Sequence, residues 1–404
     1  MTAHPSPLPS LLSEARALLP EIVALRRTLH RRPEVGLQLP FTQSVVVAEL
    51  ERLGLQPHLG RSVSSVTAVV AGAHPGPTIL LRGDMDGLPL HEDTGLAFAS
   101  ETGDTMHACG HDTHVAMLLG AARLLVARRE QFAGNVLLMF QPGEEGWHGA
   151  RYMLEEGLLG AAPSAVTSAF AIHISTRYAT GTIHLRAGAI YAAADTIRLT
   201  VRGRGGHAST PHLALDPIPV AAEIVLALQS MVTRTVDVFD PAVVTIAHVM
   251  AGTRDNIIPE TALIEGTIRT VSEATRAAVH AGVRRVVDGI CAAHGASAEL
   301  EIEPGYGVTV NDADFAALVR NVATDLLGAD SVHALDAPVM GAEDFSYVLQ
   351  RVPGAMCHLG ARPPEVDEAT APQNHSNRVV FDEPAMAVGA ALHAAVALRY
   401  LGGG

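Results

Sequence analysis

A thiol and several imidazoles crowd into the run His107-Ala108-Cys109-Gly110-His111-Asp112-Thr113-His114. The run opens a helical pattern, and Gly110 lets the backbone fold so that Cys109 and His111 face one centre. Sulfur and imidazole together favour zinc or another late first-row ion. A second chemical group is Glu144-Glu145, which follows the apolar run Asn135 to Phe140 and is released from it by Pro142 and Gly143. Two neighbouring carboxylates divide labour well, one bound to a metal and one free to shuttle a proton, and a carboxylate ligand also admits manganese or cobalt. His173, behind the apolar run Ala169 to Ile172, and His375, in the polar loop Gln373-Asn374-His375-Ser376-Asn377, are further ligand candidates. Asp86 and Asp112 are suited to orient ligand imidazoles by hydrogen bonds. Taken singly, each group has a plainer reading as a buried thiol, a helix cap, a solvated loop, a core histidine or a surface histidine. Their joint presence favours a metal centre.

Bringing such distant segments together requires strands that end side by side. Thr78 to Leu81 leads into Arg82-Gly83-Asp84-Met85-Asp86, Asn135 to Phe140 into the glutamate pair, and Ala169 to Ile172 into His173. In open α/β sheets ligands bind beyond the carboxyl ends of the strands, so these three endings are expected to converge on one crevice. Amphipathic spacing predicts helices over Leu11 to Leu29, Thr42 to Leu53 and Thr113 to Arg129, alternating with strands at Val66 to Val70 and Ala355 to Leu359 as well. This is the pattern of a layered α/β domain whose central strands are buried on both faces. From about Tyr191 to Glu303 the texture changes. Strands at Asp195 to Val201, Ala242 to Met250, Thr261 to Thr270 and Ala298 to Glu303 surround helices at Pro217 to Val232 and Glu273 to Ala293. That describes an inserted α+β unit, helices on an antiparallel sheet. The expected division is residues 1–190 and 304–404 for the larger, discontinuous domain and 191–303 for the insert.

Composition narrows the chemistry. The chain has 404 residues, 48% of them hydrophobic, too many for one ordinary core. Its 28 basic residues are all arginine, which excludes a pyridoxal Schiff base, a Walker-type lysine and a carbamylated-lysine metal bridge. A net charge of −14 argues against a nucleic-acid partner. Cys109, Cys291 and Cys357 are odd in number and widely spaced, which does not read as a disulfide framework. The segment from Met1 to Ser13 shows no basic run leading into an apolar stretch, and no apolar run is long enough for a bilayer. A cytoplasmic protein without membrane partners is the expectation.

The motifs RGDMDGLP (Arg82 to Pro89), HACGHDTHVAML (His107 to Leu118), QPGEEG (Gln141 to Gly146), GRGGHAS (Gly203 to Ser209), MGAEDFS (Met340 to Ser346) and NHS (Asn374 to Ser376) occur in order across almost the whole chain. Together they resemble the aminoacylase and hippurate hydrolase group, which includes the plant indoleacetyl-amino-acid hydrolases and is a branch of the glutamate-carboxypeptidase-like metallopeptidases. The resemblance implies a mixed-sheet α/β/α catalytic domain with an inserted lid that also dimerises. It implies two divalent ions per subunit, zinc, manganese, cobalt or nickel, on Cys109, His111, Glu145, His173 and His375. Cys109 stands where the wider family commonly has a bridging carboxylate. Glu144 matches the general base, with Asp86 beside it among the catalytic residues. His207 matches a lid histidine that reaches the partner subunit's site and hydrogen-bonds the oxyanion, while Asn256 and Arg269 resemble substrate-positioning groups. The activity implied is hydrolysis of N-acyl amino acids to a carboxylic acid and a free amino acid. A dipeptidase or carboxypeptidase on the same centre is the alternative, and a catalytically silent conjugate-binding protein a weaker one, since binding needs no base.

Overall fold

The computed structural model describes residues 8–402. Met1 to Pro7, where the reading above finds no leader, and the terminal Gly403-Gly404 lie outside the described residues. The chain divides into two compact units: Met1–Ile190 with Val310–Asp336 and Tyr347–Gly404, and Tyr191–Thr309 with Ala337–Ser346. The second unit therefore also takes in 304–309 and Ala337–Ser346, which the sequence division leaves with the larger domain. Backbone pairing explains the second of these, because Tyr191 bridges Val339 and the amide of Ala192 donates to the carbonyls of Val339 and Gly341.

The first unit is built on an eight-stranded mixed sheet. Its order is His58–Leu59, Val66–Ala71, Ala133–Gln141, His74–Asp84, Val166–Ala179, Gly354–Arg362, Ile183–Leu185 and Val332–Ala334. The four strands Ala133–Gln141, His74–Asp84, Val166–Ala179 and Gly354–Arg362 are mutually parallel, so their carboxyl ends lie along one edge. Ala133–Gln141 is buried at every residue after the first, and His74–Asp84 over its last seven. Successive strand residues point to opposite faces, so this pattern means that both faces are covered, as the unbroken apolar runs predict. The helices Leu8–His30, His111–Val126 and Ala385–Leu401 pack on one another in the same core.

In the second unit, a four-stranded antiparallel sheet has the order Ala242–Ala251, Thr261–Thr270, Ala193–Arg202 and Ser297–Pro304. Its two central strands alternate buried with more exposed positions, so one face only is covered. Pro217–Thr235 and Glu273–His294 cover it, burying Val220, Ile224, Leu228, Val279, Val283 and Val287 against Ile197, Leu199, Ile264 and Ile268. Both helices start where the sequence provides a cap: Asp216 accepts from the amide of Ile218, and Ser272 from that of Thr275. Among the described residues no helix is long and apolar enough to cross a membrane.

Candidate metal centre

At the carboxyl edge of the parallel strands the predicted groups come together within the first unit. The loop before the helix His111–Val126 turns at Gly110, whose φ of +91° is open to glycine and strained for other residues. A β-carbon there would stand 2.4 Å from the Ile174 side chain, so the turn has no room for one. Cys109 thereby meets two imidazoles: its Sγ lies 3.4 Å from His173 Nε2 and 3.3 Å from His375 Nε2. His375 Nε2 is also 3.1 Å from Glu145 Oε1. The ligating atoms of Cys109, His111 and His173 form one close group, those of Cys109, Glu145 and His375 a second, and those of His111, Glu144 and Glu145 a third. The first two share Cys109 and between them contain all five candidate ligands.

Each group is held from behind. Nδ1 of His173 donates to the carbonyl of Ile174 at 2.7 Å, which leaves Nε2 with the lone pair on the thiol side. His375 adopts a left-handed backbone with φ of 70°, unusual for a residue with a β-carbon. Its amide donates to the carbonyl of Ala108, and the side-chain amide of Asn374 donates to the carbonyls of Cys109 and Ile174, which fixes that conformation. Gly143, at φ +68°, turns the chain out of the strand Ala133–Gln141. Beyond it the carboxylate of Asp86 accepts the amides of Glu144 and Glu145 at 2.9 and 3.0 Å. Asp86 Oδ1 also lies 3.5 Å from His111 Nδ1.

Two expectations change. The strand carrying His173 does not stop there but runs to Ala179. Its pairing with His74–Asp84 ends at Ala171, however, so His173 still projects past the end of its neighbour. Asp112 makes no direct hydrogen bond to a candidate ligand imidazole among the described residues: its Oδ2 takes Arg26 Nε at 2.7 Å and His30 Nδ1 at 2.8 Å. Sequence reasoning also leaves His114 and Asp84 without a role. Their Nδ1 and Oδ1 are 2.5 Å apart, the amide of Ile174 donates to His114 Nε2, and Asp84 Oδ2 sits 3.4 Å from His111 Nε2. The signal was present, because Asp84 ends a buried strand and His114 follows His111 by three residues at the start of a helix.

The electrostatics call for cations. Asp84, Asp86 and Glu144 are buried, with Glu145 half-buried beside them. Burial disfavours the charge on Asp84, yet Arg82, His111 and His114 together hold its carboxyl well below the usual range. Burial likewise opposes a charged His111, but Asp84, Asp86 and Glu145 outweigh it and raise the ring to about 10. Neither ring nitrogen of His111 has a hydrogen-bond partner among the described residues. A buried cluster of carboxylates around an unsatisfied imidazole and a thiol is a poor resting place for bare charges and a good one for divalent transition metals. The residues present fit such ions.

The remaining predicted residues belong to the second unit. Gly206–His207 forms a two-stranded ribbon with Ile257–Ile258, and the carbonyl of Asn256 accepts the amide of Ala208, so His207 and Asn256 are neighbours. His207 is exposed, and its Nδ1 accepts the amide of Ser209 at 3.1 Å. The proton of the neutral ring is therefore on Nε2. Arg269 lies in the strand Thr261–Thr270, half-buried, and burial lowers its pKa from the ordinary value.

The sequence profile described as Peptidase family M20/M25/M40 matches residues 80–399. Thermostable carboxypeptidase 1 of Saccharolobus solfataricus is 38% identical over 394 residues, covering 96% of this chain and 98% of that protein. N-acetylcysteine deacetylase of Bacillus subtilis is 36% identical over 390 residues, with the same two coverages. Among solved structures, the Bacillus subtilis YXEP protein, a dinuclear metal binding peptidase from the M20 family, superposes with a TM-score of 0.83 at 33% identity. That superposition covers 95% of this chain and 99% of the other.

Proposed function

The chain belongs to peptidase family M20/M25/M40, and from that membership we propose that it cleaves the amide bond of N-acyl amino acids, releasing a carboxylic acid and the free amino acid. Membership makes it a hydrolase. The observation that carries the rest is the pair of ligand groups sharing Cys109, with a second glutamate beside the one that closes the cluster. Two divalent ions on Cys109, His111, Glu145, His173 and His375 accord with that sharing, and with the dinuclear relative. When bound, zinc, manganese, cobalt or nickel would polarise the scissile carbonyl and acidify the attacking water.

The chain's own residues divide the remaining work. Glu144 takes the proton of the attacking water and returns it to the departing nitrogen. Asp86 sets the angle of the Glu144-Glu145 turn through both amides, and the Ile174 carbonyl keeps His173 in the tautomer that a ligand requires. Arg269 is the positioning group for the substrate carboxylate, with Asn256 assisting. Arg269→Ala should raise KM for N-acyl amino acids much more than for their uncharged amides, because a planar pair of donors fits a free carboxylate. Equal losses on acids and amides would assign Arg269 to structure.

His207 completes the site from a second copy of the chain in a homodimer, donating Nε2–H to the oxyanion. Loss of such a donor costs on the order of 3 kcal/mol, so His207→Ala should be nearly inactive. Mixing it with Glu144→Gln should restore part of the activity after subunits exchange, since one site of the mixed dimer then has both groups. Exchange seen by native mass spectrometry without regained activity would remove His207 from a shared site.

The carboxypeptidase relative supports a second reading in which the acyl group is a peptide. A mass-spectrometric screen of metal-loaded enzyme decides between them, using N-acetyl, N-benzoyl, long-chain acyl and indoleacetyl amino acids beside dipeptides and longer peptides. Turnover of the N-acyl amino acids is the expected result. Turnover confined to peptides would replace the first reading with the second.

A further inference from the structure

Resting on the reading that Cys109 and His111 hold metal, we propose that Arg26 and His30 of the N-terminal helix are positioning residues for those two ligands, acting through Asp112. Asp112 follows His111 directly and lies in the first turn of the helix His111–Val126. That helix starts from Gly110 with no side-chain cap, so no cap sets the direction of its first turn. Asp112 instead ties this turn to the N-terminal helix. One of its oxygens receives Arg26 Nε at 2.7 Å and His30 Nδ1 at 2.8 Å, from residues four apart on one face of Leu8–His30. The far side of His30 is held in turn, with Nε2 3.2 Å from Glu92 Oε1, and Arg26 Nη1 reaches Glu383 Oε1 at 3.3 Å.

Arg26, His30 and Asp112 are each 1% exposed or less. Burying an arginine, a histidine and a carboxylate together gains little stability over apolar packing of the same volume, whereas it fixes one arrangement in space. The object fixed here is the loop carrying Cys109 and His111. Its other side is clamped by Asn374 and by the His375 amide, so the N-terminal helix and the C-terminal segment grip the loop between them. Groups that orient metal ligands from behind typically change metal affinity by about 10- to 100-fold when removed.

The test uses the full-length protein loaded with cobalt(II), whose bond to a thiolate gives a charge-transfer absorption band. Its dissociation constant and band position are measured for the parent, His30→Ala, Arg26→Lys and Asp112→Asn, together with the melting temperature of each metal-free protein. His30→Ala leaves Asp112 its arginine and should fold, yet bind cobalt about 10- to 100-fold more weakly, with a displaced band. Arg26→Lys keeps the charge but loses the rigid fork and should show a smaller loss in the same direction. The double variant His30→Ala with Asp112→Asn should lose no more affinity than Asp112→Asn alone, since both act through one carboxylate. Parent-like affinity and band in His30→Ala, with only the melting temperature lowered, would overturn the proposal, as would additive losses in the double variant. A parent protein that fails to bind cobalt would instead bring down the metal reading on which it rests.

Discussion

Glu144→Gln should lower the catalytic rate by at least about two orders of magnitude while metal content stays near that of the parent. The two glutamates share one turn and one carboxylate support, Asp86, and both approach His111, while Glu145 also meets His375. Glu145 Oε1 lies 3.1 Å from His375 Nε2 and 3.9 Å from His111 Nε2, inside the ligand cluster. Glu144 Oε2 is equally near the same His111 nitrogen, at 4.0 Å, so the proposed distinction rests on the contact of Glu145 with His375. Glutamine preserves the shape of either side chain and removes its charge and basicity. At position 144 the loss should therefore fall on proton transfer. At position 145 it should fall on metal binding first and on rate as a consequence. Steady-state kinetics beside elemental analysis of the purified variants reads both quantities. Equal losses of metal and of activity in Glu144→Gln and Glu145→Gln would mean that the division of roles is wrong.

Chelation should abolish turnover altogether and lower the melting temperature, and zinc, manganese, cobalt or nickel should restore both to different extents. The stability effect follows from Asp84, Asp86 and Glu144, which are buried together and left without divalent counter-charge when the ions depart. A ligand present at a thousand times its dissociation constant stabilises the folded state by about 4 kcal/mol, so the shift is expected to be readily visible by calorimetry. Full activity in rigorously metal-free protein would dismiss the metal mechanism. Loss of activity with an unchanged melting temperature would confine the ions to chemistry and remove them from the structural account.

Much of the architecture was legible because the apolar periods are clean. Thr261 to Thr270 alternates buried and exposed residues without a break, and the observed strand has those bounds. The Asn135 to Phe140 run is continuous because the strand is covered on both faces. Ala385–Leu401 was not legible for a related reason: it is buried on nearly every side, so it has no polar face to give a helical period. Ala313–Leu327 is missing from the reading although Asp312 caps it and Gly328 follows it, signals that strand counting passes over. In the candidate site, the groups proposed as ligands were legible as candidates from residue types in ordered motifs, and the structure brings them together. The support around it was not, because Arg26 and His30 occupy the buried stripe of a helix whose charges read as solvent-facing until their distant partner Asp112 is in view.

The sheet order carries a consequence for the time course of assembly. Gly354–Arg362 lies between Val166–Ala179 and Ile183–Leu185, two strands that are nearly adjacent in sequence. Cys109 likewise meets His375 across a separation of 266 residues. During synthesis this slot of the sheet stays open until Gly354–Arg362 has been made, with two strand edges unpaired while the whole second unit is made. Closure of so long a loop comes before any pairing across it, which slows folding and leaves those edges exposed to other chains. On the proposed assignment of His375 as a ligand, metal capture is then a late event, and a nascent chain stalled before His375 has most of its core sequence but lacks one of the proposed ligands.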